Sequence, residues 1–144
     1  KWPRSRATIT FDGGAVGAVA QSPFTIFTIT GRVYIHEMTI FCTATLTGAT
    51  ATLSIGGVSD IDAFLGIVTA TTVVTNDWVA GAVTSSPGSM NHPYAHGGAQ
   101  TAASPRGKAV SENITGTVAT ADITGGVLIV DIWYEPITDN GRLS

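Results

Sequence analysis

Threonine and serine alternate with apolar residues in long stretches of this chain, most regularly between residues 49 and 55. The apolar side chains there occupy every second position, at Ala49, Ala51, Leu53 and Ile55, and polar side chains lie between them. Successive side chains of a β-strand point to opposite faces of a sheet, so this period of two predicts a strand with one buried and one wet face. No segment has the period of an amphipathic helix, and we therefore expect an all-β chain.

The segment Arg32–Leu46 alternates in the same way but changes side partway. Val33 and Ile35 mark its apolar face at first, whereas from Met38 onward the apolar side chains have the opposite parity. One inserted residue reverses the facing of every later side chain. We therefore expect, near His36, either a β-bulge or a strand that passes from one sheet to another.

Further strands are predicted from the same pattern and from the glycine and proline residues at their ends: Ala7–Phe11, Phe24–Thr30, Ile61–Val68, Thr71–Val79, Asn113–Val118 and Val127–Tyr134. The segment Ile61–Val68 is expected to be either a full strand or a strand with a short irregular start. The last two are expected to form a closing pair around a turn at Thr124–Gly126. About eight strands without a helix indicate an antiparallel β-sandwich or a small barrel, and we expect a jelly-roll-like sandwich with one long loop.

The length of 144 residues suits a single domain. We assign residues 7–144 to one β-sandwich and residues 1–6 to an N-terminal arm. The arm combines Trp2 with the cations Arg4 and Arg6, residue types that are common anchors at interfaces. It is expected either to dock on another subunit or to be a frayed terminus.

The segment 81–108 is rich in Gly, Ala, Ser and Pro, and Val83 is its one branched aliphatic residue. Such a segment cannot form a core, and loops of this length in a compact domain are unusual. We expect it to reach outward and to contact a partner, although a mobile loop without a partner fits the same composition. We predict that its contacts are made by large or charged side chains, namely Met90, His92, Tyr94, His96 and Arg106.

Charged residues make up only 12% of the chain, about half of the ~25% in an ordinary soluble protein. The net charge of −3 argues against nucleic-acid binding, which needs a basic face. The stretches 13–31 and 38–59 lack charged residues, but their interspersed threonines fit strands and not membrane helices. The chain begins at Lys1 without a Met or a basic-then-apolar leader, so a processed or truncated start is expected. A neutral, threonine-rich exterior is typical of a protein whose faces pack against other proteins.

The sequence predicts no catalytic residue, no cofactor and no metal. His92 and His96 have a spacing that would suit a metal on a helix, but Pro93 and the glycines at 97 and 98 exclude the helix. Asp60 and Asp62 could approach a hard cation such as calcium, yet two loop carboxylates are ordinarily solvated.

Three other patterns have ordinary explanations in the sequence. Cys42 lies on the apolar parity of a strand and is expected to be a buried, inert thiol. Asn113 begins a glycosylation sequon that we attribute to chance, and Asn140-Gly141 is expected to be a turn within a flexible tail. Trp78 with Asn76 and Asp77, and more weakly Tyr94 with His92 and Asn91, are the clusters that could bind a sugar.

Several short segments together resemble small virion structural proteins of tailed bacteriophages. They are Ala7–Gly14, Phe27–Gly31 followed by a long strand that ends in Leu46–Ala49, Asn76–Val79, Gly126–Pro136 and Asp139–Gly141. Within that group the size and all-β character are similar to capsid decoration or cement proteins, which clamp neighbouring capsid subunits from outside. The resemblance implies a non-enzymatic protein of the virion, assembled in the host cytoplasm.

The partners that this resemblance implies are the major capsid protein or other virion proteins, and further copies of the chain in a homo-oligomer. Neither nucleic acid nor a membrane is expected as a partner. The alternative function is a phage fibre or spike domain that binds host surface carbohydrate. Binding of the purified chain to empty capsids or to glycans separates the two hypotheses.

Overall fold

The computed structural model of the chain describes residues 2–76, 78–80 and 108–144 and is all-β within them. Two short 3-10 turns, Val19–Gln21 and Ala70–Thr72, interrupt the strands. The strands are β1 (Arg4–Thr10), β2 (Phe24–Phe27), β3 (Ile29–Thr30), β4 (Val33–Thr47), β5 (Thr52–Gly56), β6 (Leu65–Thr69), β7 (Trp78–Ala80), β8 (Lys108–Val110), β9 (Ile114–Ala119), β10 (Gly125–Pro136) and β11 (Arg142–Leu143).

The strands form two main antiparallel sheets and one small one. The first sheet has the order β1-β10-β4-β7, with β8 also on β4, and the second has the order β2-β9-β5-β6. Strands β11 and β3 pair separately. Four nested pairs run through the chain, since β1 pairs with β10, β2 with β9, β4 with β7 and β5 with β6. The first half of the strands thus pairs antiparallel with the second half, and the long two-stranded ribbon that results is rolled into a β-sandwich.

The core lies where the inner parities of the two main sheets meet. Leu128, Val130 and Ile132 of the first sheet belong to the same buried cluster as Leu53 and Ile55 of the second. Each of these five side chains is at most 1% exposed. The alternation in residues 49–55 therefore correctly predicts the buried apolar side chains from Ala51 onward. Ala49, by contrast, is exposed and precedes the strand.

The change of parity in β4 is a β-bulge. Trp133 of β10 pairs with Glu37, but the next residue, Tyr134, pairs with Ile35, so His36 is the extra residue. The buried side chains change parity at this point, from Val33 and Ile35 to Met38 and Ile40. β4 stays within the first sheet throughout, and the expectation of a bulge is confirmed.

Strands β9 and β10 do not form the closing pair expected from the sequence. β9 pairs with β2 and β5 in the second sheet, whereas β10 lies between β1 and β4 in the first. Gly126, at the start of β10, has a φ of +110°, and a Cβ atom there would lie 2.7 Å from the Leu46 Cα. The glycine turn therefore carries the chain from one sheet to the other, and a local turn signal does not reveal which strand will be the partner.

Other strand bounds also differ from those predicted. β1 begins at Arg4 because Arg4–Arg6 pair with β10, and the predicted strand Phe24–Thr30 divides into β2 and β3. The segment 61–68 has the irregular start that was one of its two expected forms: residues 61–64 form turns and bends, and β6 runs from Leu65 to Thr69. In the predicted strand at 71–79, Asn76 has a φ of +75°, which breaks the extended conformation before β7.

The C-terminal segment is tied to the body of the domain. Thr28 and Ser144 exchange two backbone hydrogen bonds of 2.8 and 2.9 Å, and β11 pairs with β3. The turn before it is closed by the Gly141 N–H, which donates to the Thr138 carbonyl. The expected flexible tail at Asn140-Gly141 is therefore a turn that leads into a paired strand.

Candidate functional site

The outward parity of β10 is apolar, although its inward parity already supplies the core. Leu128, Val130 and Ile132 are buried inside, and between them the strand presents Val127, Ile129, Asp131 and Trp133 to the outside. Val127, Ile129 and Trp133 are half-buried. None of the three is among the partly buried side chains that pack against the core, such as Ala7 and Phe24.

The neighbouring strands continue this outward surface in register. On β1 the outward residues are Arg4, Arg6, Thr8 and Thr10, which pair with Trp133, Asp131, Ile129 and Val127. On β4 the partners of Trp133, Asp131 and Ile129 are Glu37, Thr39 and Phe41. We call the surface formed by these rows, with Trp2, Tyr34, His36 and Glu135 at its end, the outer face.

One ion pair lies in the middle of the outer face. The Arg6 Nε donates to Asp131 Oδ1 at 2.8 Å, and its Nη2 donates to Oδ2 at 2.9 Å. The hydrogen bond to Asp131 and the attraction of its charge raise the pKa of Arg6 above its ordinary value. The Asp131 side chain is only 12% exposed, and a largely buried carboxylate needs a counter-charge. The two-point contact with Arg6 provides it.

Aromatic side chains gather at the end of the outer face where the bulge lies. The Trp2 ring stacks on His36 with centroids 3.5 Å apart and planes 3° from parallel. The Tyr34 ring meets His36 edge-on, with centroids 4.9 Å apart. The His36 Nε2 lies 2.9 Å from Glu135 Oε1. The bulge makes this possible because it leaves two successive residues of β4, His36 and Glu37, on the outer side, between the buried Ile35 and Met38.

A shallow groove runs beside the aromatic cluster. Its volume is about 410 Å³, and it is lined by Tyr34, His36, Glu135, Pro136 and Ile137. Ile137 is 47% exposed and Trp2 is 49% exposed. The groove offers flat apolar surfaces next to a carboxylate, a combination that suits a polar ring such as a sugar or a side chain of another protein.

The outer face is large enough to matter as an interaction surface. Three strands about 4.8 Å apart, each with eight residues rising about 3.4 Å, cover on the order of 400 Å². Apolar side chains share this area with Thr8, Thr10, Thr39 and the charged residues, so the apolar part is smaller than the whole. Its tryptophan and arginine residues are of the types that are enriched at the centres of protein interfaces.

The structure brings together the predicted contact residues of the N-terminal segment. Trp2, Arg4 and Arg6 all lie on the outer face of the chain's own first sheet, with Arg4 and Arg6 inside β1. The predicted contact residues of the loop, Met90, His92, Tyr94, His96 and Arg106, lie outside the described residues, as does all of the segment 81–107. The last residue assigned to that loop, Lys108, begins β8.

Sequence reasoning missed Trp133, Ile129 and Phe41 as surface residues. A signal was present, because the run from Val127 to Tyr134 is apolar at both parities except for Asp131. A strand that is apolar on both faces is normally covered on both faces. Among the residues that the structure describes, the core covers only the inner one.

A second cavity lies between the turn after β5 and the segment before β9. Its volume is about 260 Å³, and Glu112 and Ser59 are among the residues that line it. The Glu112 carboxylate accepts hydrogen bonds from the Ser59 backbone N–H at 3.2 Å and from the Ser59 hydroxyl at 2.6 Å. Asp60 and Asp62 stand in the same turn. The hydrogen bond to Asp60, partial burial and the charge of Asp60 together raise the pKa of Asp62.

The remaining candidates from the sequence have structural roles or stay without support. Within the described part of the chain no three His, Cys, Asp or Glu side chains lie close enough together to hold a metal. Cys42 is buried, and its thiol lies 3.1 Å from the Ala44 carbonyl. The Asn113 side-chain oxygen accepts from the Ile29 backbone at 3.0 Å. Asp77, Asn91 and the side chain of Trp78 are not described, so the predicted sugar clusters remain predictions. No described segment forms a helix long and apolar enough to span a membrane.

Comparisons with known proteins give one distant likeness. No protein-family model matches the chain, and no curated protein shows significant similarity to it. Among solved structures, a chain of the cyanophage Pam1 capsid asymmetric unit is similar, with a TM-score of 0.49 and 17% identity over 93% of this chain and 84% of that one. A likeness at this level identifies neither a family nor a function.

Proposed function

We propose that this chain is a non-enzymatic structural protein of a phage virion, a capsid decoration or cement protein that self-associates and bridges capsid subunits. The observation that carries the proposal is the outer face, where an apolar and aromatic row lies on the outside of a sheet whose other side already forms the core. A protein with such a face is suited to sit against another protein surface for most of its existence.

Two further features support the proposal. The nested strand pairs support a jelly-roll-like arrangement of the β-sandwich, and jelly rolls recur in viral capsid domains as well as in lectins and cupins. Charged residues make up only 12% of the chain, so little charge must lose its water when the surface is covered. Under this proposal the partners are the major capsid protein or other virion proteins and further copies of the chain, and the protein assembles into virions in the host cytoplasm.

The test is binding to particles of the phage that encodes the chain. Particles stripped of the protein are mixed with purified chain and sedimented, and the bound fraction is measured against concentration. We expect saturable binding and a higher temperature of particle disruption. Particles that neither bind the chain nor become more stable with it would contradict the proposal.

The second candidate function is carbohydrate binding by a fibre or spike domain. The groove beside Tyr34 and Glu135 favours it, because saccharides stack on aromatic rings and donate hydroxyl hydrogen bonds to carboxylates. A glycan array probed with the intact chain and with Trp2→Ala tests it. Retention of a glycan by the intact chain and its loss in the variant would favour this function over the capsid role.

A further inference from the structure

We propose that two copies of this chain associate face to face through the outer face, about a two-fold axis that runs along β10. The inference rests on the proposed function, since it names the surface that serves the self-association in it. The partner is a second copy because of the way charge is distributed across the three strands.

Charge on the outer face is arranged in opposite rows. Arg4 on β1 and Glu37 on β4 lie at the same level, since each pairs with Trp133 of the central strand. Both side chains are exposed, and neither makes an ion pair within the described part of the chain. They stand on either side of β10, about 10 Å apart at two strand spacings.

A two-fold axis along β10 exchanges these rows between copies. The β1 row of one copy then faces the β4 row of the other, so Arg4 of each copy meets Glu37 of its partner, twice in the dimer. Trp133 and Ile129 lie on the axis and pack against their own counterparts, at the separation of about 10 Å that is common for stacked sheets. The arrangement is self-complementary, as an isologous interface must be.

The charges that are already paired do not oppose this packing. Arg6 and Asp131 neutralise each other within one copy, and His36 lies against Glu135. The outer face as a whole therefore carries two cations and three carboxylates, and it has no strong sign that would select a highly charged partner. Two copies are not repelled, and the Arg4–Glu37 contacts set their orientation.

The size of the face sets the expected strength. A stable interface commonly buries about 800 Å² on each partner, and the outer face offers on the order of half of that. We therefore expect a dimer with a dissociation constant in the micromolar range, which the crowding of copies on a particle would populate.

The decisive experiment reverses the two charges separately. Sedimentation equilibrium is measured for the intact chain, for Arg4→Glu and for Glu37→Arg, each alone and in an equal mixture. Each variant alone sets like charges opposite one another at both contacts, so its dissociation constant should rise at least tenfold. In the mixture Glu at position 4 meets Arg at position 37, and the native Glu37 meets the native Arg4, so association should return to within a few fold of the intact chain.

A matched pair of lysine substitutions tests the apolar centre. Ile129→Lys should abolish association, whereas Ile67→Lys, on a side chain that is 63% exposed in the second sheet, should leave it unchanged. Melting temperatures verify that both variants fold. A monomeric intact chain at 200 µM, or variants whose mixture does not recover, would overturn the inference.

Particle binding is measured for the same variants, because it separates the two proposals. Loss of self-association in Ile129→Lys with binding to particles retained supports the inference. A chain that is monomeric in solution and loses particle binding in Ile129→Lys shows that the outer face contacts the capsid, and this overturns the inference while the proposed function stands. Failure of the intact chain to bind particles contradicts the proposed function, whatever its oligomeric state.

Discussion

The two main sheets obey the same alternation inside the domain and differ on the outside. In the second sheet the inner parity carries Leu53, Ile55 and Val118, and the outer parity carries mainly small polar residues, such as the buried Ser54 and Thr115, with Ile67 as an exposed aliphatic exception. In the first sheet the inner parity of β10 is equally apolar, but its outer parity carries Ile129 and Trp133. A sheet with small polar residues outside needs no partner, whereas one with aromatic residues outside gains from being covered.

The comparison requires that the inward-facing side chains of the two sheets contribute equally to the free energy of unfolding. Leu53→Asp and Leu128→Asp each place an unpaired carboxylate in the core, and each should lower the free energy of unfolding by about 4 kcal/mol or more. Urea titration followed by circular dichroism measures this. Thr52→Asp, next to Leu53, and Thr8→Asp, on the outer side of β1 opposite Ile129, should cost far less, and equal damage from all four would show that the facing is wrong.

A substitution on the outer side of the second sheet should raise the free energy of unfolding instead of lowering it. The Oγ1 atoms of Thr115 and Thr117 are buried and have no hydrogen-bond partner among the described residues. Replacing such a hydroxyl by a methyl group of the same shape removes a desolvation cost, so Thr115→Val should stabilise the fold by about 1 kcal/mol. Thr25→Val, on the exposed partner of Thr115 in β2, is the control and should change little. Destabilisation by Thr115→Val would mean that the hydroxyl has a partner.

The turn at the end of the second sheet should show a small pH effect. Because the folded pKa of Asp62 is raised, chiefly by its hydrogen bond with Asp60, its contribution to stability is present at low pH and lost as the pH rises through the folded pKa. Asp60→Asn removes the neighbouring charge that helps to raise the pKa of Asp62. The melting temperature of the intact chain should therefore fall relative to that of Asp60→Asn as the pH rises above 3.8, the ordinary pKa of an aspartate side chain, and parallel curves would contradict this.

Much of the fold could be predicted from the alternation alone. The strand near Leu53 and the bulge at His36 follow from parity, because one face of each strand is buried and a slip would expose it. The pairing of β9 and β10 could not be predicted, since a glycine turn such as Gly125-Gly126 serves a hairpin and a crossing between sheets equally well. The start of β1 at Arg4 was missed because its strand residues are charged and exposed, and only the contact of Arg6 with Asp131 explains them.

The candidate site was only half predictable. Trp2, Arg4 and Arg6 stand out in the sequence by residue type, yet the surface on which they lie is set by long-range pairing with β10. Trp133 and Phe41 were assigned to strands and to no surface, because an apolar run does not say how many of its faces the core will cover. That the bulge would set His36 against Trp2 depends on the register between β4 and β10, which the sequence does not specify.

Hydroxyl-radical footprinting of side chains tests most directly whether the outer face is an interaction surface. The chain is labelled when dilute, when concentrated above the dissociation constant of the dimer and when bound to particles, and oxidation is compared at Trp2 and Trp133. Val58 and Ile67, exposed by 71% and 63%, serve as internal references. The account predicts that both tryptophans become several-fold less reactive on association while the references stay constant. Unchanged reactivity of Trp133 in all three states, in a chain that does associate, would contradict it.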